Sequence, residues 1–317
     1  MWNGTILLAG ILLLYLGAEW LVKGAAGLGR SLGVRPLIIG LTVVAYGTSV
    51  PELVVSLVAA GNGMSNLALG NVIGSNLANL GLILGLTAML APLGVEGSLI
   101  RREAPVMFGT SLLLPLLLLD GVVSRAEGLG LLALAIVFTW LTARTATGGS
   151  KESGVIEADA EAAGAPPGTG VLRLAAIAAL GLLLLVLGGQ AFVNGAGGLA
   201  LALGISQRVV GLTVAAIGTS TPELAASIVA ALRGHSSIAV GNVIGSNIFN
   251  VLFVLGGVAT VGPVTGSLGD FGGDLVWLAL FSALGLVLVR TSRTIRRGEG
   301  ALLVTCYAVY LVRLAAG

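Results

Sequence analysis

The stretch GTSVPEL runs from Gly47 to Leu53, and GTSTPEL returns from Gly218 to Leu224. Each copy sets a proline and a glutamate inside a long apolar segment. Pro51 has no N–H, so the carbonyl of Gly47 loses its helical partner and a regular turn is disfavoured there. Gly47 adds backbone freedom at the same point. Unpaired backbone oxygens persist at membrane depth only where a lined cavity, water or an ion satisfies them. Glu52 lies beside this break, with the hydroxyls of Thr48 and Ser49 just before it. Thr219, Ser220, Pro222 and Glu223 repeat the arrangement.

The segments around these motifs are apolar along the whole chain. Of 317 residues, 56% are hydrophobic and 9% charged, with a mean hydropathy of +1.05. Soluble domains carry roughly 25% charged residues, so this chain lacks the polar surface of one. Ten apolar runs are predicted to span a bilayer: 5–28, 37–60, 67–91, 104–120, 127–143, 172–198, 208–232, 238–262, 274–290 and 300–316. The apolar N-terminus has neither a basic leader nor a small-residue cleavage site, and reads as a retained first helix. Cys306 is the only cysteine, which excludes an intrachain disulfide and cysteine-based metal clusters.

A polar, Gly- and Pro-rich segment separates the fifth and sixth runs. It divides the chain into 1–145, a cytoplasmic linker at 146–170, and 171–317. A shift of 171 residues aligns Gly17 with Gly188, Glu52 with Glu223 and Asn79 with Asn250. Between Gly40 and Asn79, 26 of 40 positions match their partners. Five spans per half turn the second copy upside down relative to the first. The expected fold is therefore an all-α membrane protein of ten transmembrane helices, built as two inverted five-helix repeats with broken helices at the midplane. That is the organisation of secondary transporters. With the N-terminus outside, the cytoplasmic loops hold twelve Lys and Arg residues against three opposite, so both termini are expected to be extracytoplasmic.

The span after each motif carries a polar stripe. Asn71, Ser75 and Asn79 are four residues apart and share a helix face, as do Asn242, Ser246 and Asn250. If the repeats meet, two carboxylates and several neutral oxygens converge, a donor set suited to a hard cation such as Ca²⁺. Two glutamates also neutralise one divalent ion. Transition metals would call for His or Cys, and the sole histidine, His235, falls in a predicted loop. Proline in a membrane helix is commonly a kink, and Ser, Thr and Asn there commonly serve packing. An intramembrane glutamate is functional by default, and here it occurs twice by symmetry. Glu19 and Lys23, four apart in the first span, are expected to neutralise each other.

The blocks GLTVVAYGTSVPELVVSLVAAGNGMSNLALGNVIGSNLANLG and GLTVAAIGTSTPELAASIVAALRGHSSIAVGNVIGSNIFNVL resemble the α-repeats of the sodium/calcium exchangers, in the cation/Ca²⁺ exchanger superfamily. The resemblance implies alternating access with antiport of Na⁺ against Ca²⁺ in a plasma membrane, electrogenic at three Na⁺ per Ca²⁺. It implies that Glu52 and Glu223 bind both ions in competition. Thr48, Ser49, Thr219, Ser220, Ser75 and Ser246 would add oxygens, Asn79 and Asn250 would complete the site, and the carbonyls of Ala45 and Ala216 would serve flanking Na⁺ positions. The Gly-rich first and sixth helices would slide against this core. Some relatives carry Asp where this chain has Asn250; Asn cannot ionise but keeps an acceptor, so Ca²⁺ binding is expected to survive. Asn at both Asn79 and Asn250 resembles the K⁺-independent branch of the superfamily, which implies transport without K⁺. No cofactor, enzymatic activity or nucleic-acid partner is expected, and the working unit is a monomer in a lipid bilayer. The rival readings are a Ca²⁺/H⁺ or other divalent cation exchanger, a cation channel, and an intramembrane hydrolase. GxSxG and HExxH are both absent, which disfavours the last.

Overall fold

The computed structural model describes residues 2–145, 170–204 and 218–316. Ten helices account for most of them: α1 Trp2–Leu32, α2 Pro36–Gly61, α3 Ser65–Leu90, α4 Glu103–Leu117, α5 Arg125–Arg144, α6 Val171–Ala202, α7 Thr221–Leu232, α8 Ser236–Val261, α9 Leu268–Ser292 and α10 Arg297–Ala316. Each corresponds to one expected span. Seven of the described helices are long and apolar enough to cross a membrane, and α4 and α7 are shorter apolar helices. The segment expected to link the halves, at 146–169, and the first part of the expected span 208–232 lie outside the described residues.

Two of the boundaries that differ from expectation have a visible local cause. The span expected at 104–120 stops at Leu117, because Asp120 and Gly121 form a turn with Gly121 at φ +81°. The span expected from 274 begins at Leu268, because Ser267 caps it by accepting the N–H of Asp270. Asp270, outside the expected span, therefore lies inside α9 together with Asp274.

Glycine spacing sets the contact between α1 and α6. Gly10, Gly17 and Gly24 recur every seven residues, and Gly181, Gly188 and Gly195 do the same. A Cβ at Gly17 would meet Leu185 N at 2.7 Å, and one at Gly24 would meet Ala178 N at 2.6 Å. A Cβ at Gly188 would meet Leu14 N at 2.7 Å. The two backbones thus approach as small residues allow in membrane helices. Numbers rise along α1 as they fall along α6, so the two are antiparallel. Since α6 is the counterpart of α1, the repeats are inverted.

The same two-fold relation recurs through the bundle. Ser111 in α4 and its counterpart Ser282 in α9 face each other, Oγ to Oγ at 2.8 Å, so the pseudo-axis passes between them. Gly128 of α5 packs on Ala259 and Thr260 of α8, while Gly300 of α10 packs on Gly85 and Ala88 of α3. Four two-residue strands went unexpected: β1 Leu93–Gly94, β2 Val122–Val123, β3 Val264–Thr265 and β4 Thr294–Ile295. β1 pairs antiparallel with β4 and β2 with β3, so each sheet joins one repeat to the other at a bundle end. The helices that follow β2 and β4 start alike: Glu127 accepts the N–H of Ser124, and Glu299 that of Arg296.

This symmetry exposes one strained residue. Arg293, directly before β4, has φ 52°, and Gly121, directly before β2 in the first repeat, has φ +81°. A left-handed backbone costs a residue with a Cβ roughly 1–2 kcal/mol, part of which glycine returns as unfolded-state entropy. Arg293→Gly is expected to stabilise the protein by up to about 1 kcal/mol, read as a rise of about 1–2 °C in the thermal midpoint of the detergent-solubilised chain. An unchanged or lower midpoint would count against strain there.

Glu19 does not pair with Lys23. Arg233, at the end of α7, binds it with Nη2 to Oε1 at 2.7 Å and Nε to Oε2 at 3.0 Å. A planar guanidinium matches both carboxylate oxygens, which a lysine on the same helix cannot do. His235, at the start of α8, lies in the loop expected for it but is buried.

Candidate functional site

Both motifs break their helices as Pro51 and Pro222 require. Within α2 the backbone turns at Ser49 (φ −80°, ψ −2°), and Ser220 has φ −88° and ψ 7° just before α7. Each proline occupies the first turn after its break, where a missing N–H costs no hydrogen bond. Glu52 and Glu223 follow directly, in the first turns of the restarted helices, and both are 1% exposed.

Helices α3 and α8 bring up the polar stripes. α8 is the most enclosed helix, with 94% of its most apolar stretch buried against 28% for α6. Its contact with α2 needs glycine: a Cβ at Gly245 would lie 2.7 Å from the Cβ of Ala45, and one at Gly40 would lie 2.6 Å from Ile238 O. Asn79 and Asn250 each open a π-helical segment, Asn79–Ile83 and Asn250–Leu255. A third occupies Gly40–Val44 in α2. Such one-turn π segments concentrate at functional positions.

The side chains meet across the repeats. Ser220 Oγ donates to Glu52 Oε1 at 3.4 Å. Thr48 Oγ1 donates to Asn242 Oδ1 at 3.3 Å, and its counterpart Thr219 donates to Asn71 Oδ1 at 3.4 Å. Asn250 Nδ2 donates to Asn76 Oδ1 at 3.0 Å, and Asn76 Nδ2 donates to Asn247 O at 3.3 Å. Several buried oxygens have no hydrogen-bond partner within the protein: Ser49 Oγ, Glu52 Oε2, Ser75 Oγ, Asn79 Oδ1, both carboxylate oxygens of Glu223, Ser246 Oγ and Asn250 Oδ1. Leaving one buried polar atom unmet costs about 1–3 kcal/mol, more when charged. So many oxygens from both repeats suit a hard cation, which takes about six to eight oxygens.

The expected site residues divide by what they touch. Glu52, Glu223, Ser49, Ser75, Ser246, Asn79 and Asn250 are buried with unpartnered polar atoms. Thr48, Thr219 and Ser220 are each engaged with the opposite repeat. The carbonyl of Ala45 already accepts the Ser49 N–H at 3.1 Å and the Thr48 hydroxyl at 3.5 Å. Ala216 lies outside the described residues. Three pairs were not singled out from the sequence as site residues. Asn76 and Asn247 follow Ser75 and Ser246 in both copies of GSN. Ser56 and Ser227 follow each glutamate by four residues and take bonds from Asn71 (2.9 Å) and Asn242 (3.0 Å). Asn71 and Asn242, though on the stripe, are turned to the neighbouring helix. Duplication at the same register was the signal available for all three.

Comparison with known proteins points to one family. The profile of the family described as sodium/calcium exchanger protein matches residues 2–144 and 173–315. Inner membrane protein YrbG of Escherichia coli is 38% identical over 312 residues, covering 98% of this chain and 96% of that protein. Sodium/calcium exchanger MaX1 of Methanosarcina acetivorans is 33% identical over 359 residues, covering 98% of each. The solved structure of the sodium-calcium exchanger NCX_Mj, soaked with Na⁺ and without Ca²⁺, superposes with a TM-score of 0.82 at 31% identity, covering 98% of each chain.

Proposed function

The chain belongs to the sodium/calcium exchanger protein family, whose activity is cation/Ca²⁺ antiport, and from that premise we propose that it exchanges Na⁺ for Ca²⁺ at one site shared by both repeats. The observation that carries the reading is the pair of buried carboxylates, Glu52 and Glu223, amid symmetry-related oxygens unpartnered within the protein. Glu52 and Glu223 neutralise Ca²⁺. Ser49, Thr48, Thr219, Ser220, Ser75, Ser246, Asn79 and Asn250 supply neutral oxygens, and the carbonyls of Ala45 and Ala216 serve flanking Na⁺.

Two carboxylates at membrane depth cannot cross between outward- and inward-facing states uncompensated. Ca²⁺, or several Na⁺, relieves that penalty, and each ion excludes the other because both use the same carboxylates. The units that move are α1 and α6, which pack on each other at their glycine contact and slide together against the core of the other helices. Three Na⁺ per Ca²⁺ moves one net charge, and the membrane potential then contributes roughly 2.3 kcal/mol per 100 mV towards Ca²⁺ extrusion. Asn at both Asn79 and Asn250 resembles the K⁺-independent branch, which supports exchange without K⁺. The bias of basic residues supports extracytoplasmic termini, and the likeness to an inner membrane protein supports the plasma membrane.

The test is radiolabelled Ca²⁺ uptake into proteoliposomes. Vesicles loaded with Na⁺ are expected to take up Ca²⁺ faster than vesicles loaded with K⁺, and faster still when a K⁺ diffusion potential makes the inside positive. Uptake driven by a pH gradient alone would make H⁺ the counter-ion and overturn the Na⁺ assignment. Flux that neither saturates nor depends on a counter-ion gradient would make the protein a channel.

A further inference from the structure

We propose that Asn71 and Asn242 are positioning residues: each turns the threonine hydroxyl of the opposite repeat so that its lone pairs face the cation, and so sets the affinity for Ca²⁺. The inference rests on the cation site proposed above.

Their bonds set them apart from the rest of the stripe. Ser75, Asn79, Ser246 and Asn250 leave oxygens unpartnered within the protein, whereas neither Asn71 nor Asn242 does. Asn71 Nδ2 donates to the carbonyl of Glu52 at 3.2 Å and to Ser56 Oγ at 2.9 Å. Asn242 Nδ2 donates to the carbonyl of Glu223 at 3.4 Å and to Ser227 Oγ at 3.0 Å. These donations fix which end of each amide is which, leaving Oδ1 pointing across the interface. There Thr48 Oγ1 lies 3.3 Å from Asn242 Oδ1, nearer than the 3.5 Å to the carbonyl of Ala45 in its own repeat. Thr219 Oγ1 lies 3.4 Å from Asn71 Oδ1, so each amide oxygen is placed to take the facing threonine's proton. The arrangement appears twice, related by the pseudo-two-fold axis, so it is not an accident of one helix.

The chemistry follows from the hydroxyl. A threonine oxygen carries one proton and two lone pairs. Pulling the proton towards an amide oxygen leaves the lone pairs free for a cation, and a bound cation in turn strengthens the O–H as a donor. The threonine contacts, at 3.3 and 3.4 Å, are long for a hydroxyl and have room to tighten when the site fills. The same amide holds the carbonyl of its own repeat's glutamate, so one side chain sets both the carboxylate's helix turn and the facing hydroxyl. Residues that orient metal ligands in this way commonly alter affinity by about 10–100-fold when removed.

The test measures Na⁺-driven Ca²⁺ uptake in proteoliposomes for the wild type, Asn242→Ala, Thr48→Val and the double variant, with Asn71→Ala and Thr219→Val as the mirror set. Each single variant is expected to raise the KM for Ca²⁺ about tenfold or more, with a smaller change in maximal rate. The double variant is expected to be no worse than the poorer single, because both act through one hydroxyl. Ser227→Ala, which removes only an anchor of the amide, is expected to change KM less than Asn242→Ala. An Asn242→Ala protein with KM within twofold of wild type overturns the proposal, as do single effects that multiply in the double variant. Asn71 is partly exposed, so its variant carries the test if Asn242→Ala does not fold. Thr48→Val and Thr219→Val with unchanged KM overturn the proposal whatever the asparagine variants do. A wild type with no Ca²⁺ uptake fails the exchanger reading itself, which separates the two failures.

Discussion

Glu52→Gln and Glu223→Gln are each expected to cut Ca²⁺ exchange by at least about 100-fold while leaving the protein folded. Glutamine keeps the volume and one acceptor oxygen but removes one charge. With both glutamates ionised, bound Ca²⁺ leaves the site neutral; with one, it leaves a net positive charge buried at a position 1% exposed. Breaking a buried charge balance by removing one partner costs about 3–5 kcal/mol, and each 1.4 kcal/mol is a factor of ten in affinity. The sign for stability is opposite. Without ions, a buried amide is cheaper than a buried carboxylate, so the thermal midpoint of either variant in ion-free buffer is expected to match or exceed that of the wild type. Transport within tenfold of wild type in either variant would remove that glutamate from the site.

Gly17→Val is expected to show the next largest effect. A Cβ there would lie 2.7 Å from Leu185 N and 2.8 Å from Gly181 O. These are backbone atoms of a long helix, so no side chain can swing aside. Overpacking typically costs 1–3 kcal/mol, and valine adds two further methyls to the same crowded point. The expected result is a thermal midpoint lowered by several degrees and Ca²⁺ exchange lowered about tenfold or more, since α1 and α6 can no longer approach. Gly4, on the same helix with nothing near a would-be Cβ, is the control: Gly4→Val should leave both quantities close to wild type. Equal behaviour of the two variants would mean that the close approach of α1 and α6 is not needed.

Much of this architecture was legible in the sequence because the chain states it twice. Glu52 and Glu223 stood out as charges in apolar spans, Pro51 and Pro222 announced the breaks, and an odd number of spans per half implied inversion. The π-helical segments at Asn79 and Asn250 were not legible, because one extra residue in a turn leaves no periodic trace in so short a stretch. Helical spacing placed Asn71, Ser75 and Asn79 on one face, but it could not say which would turn to the neighbouring helix. That depends on the carbonyl of Glu52 and on Ser56, which only packing brings within reach. Glu19 illustrates the same limit: local spacing offered Lys23, and the tertiary fold supplied Arg233. The two-residue strands are too short for any alternation to register.

The central claim is that both repeats build one cation site. Equilibrium binding of radiolabelled Ca²⁺ to the purified, detergent-solubilised protein tests it most directly, with Na⁺ as competitor. One high-affinity Ca²⁺ per chain is expected, displaced cooperatively by Na⁺ and lost in Glu52→Gln and in Glu223→Gln alike. Two Ca²⁺ per chain, or half the binding surviving in either variant, would mean that each repeat holds its own ion and would contradict it.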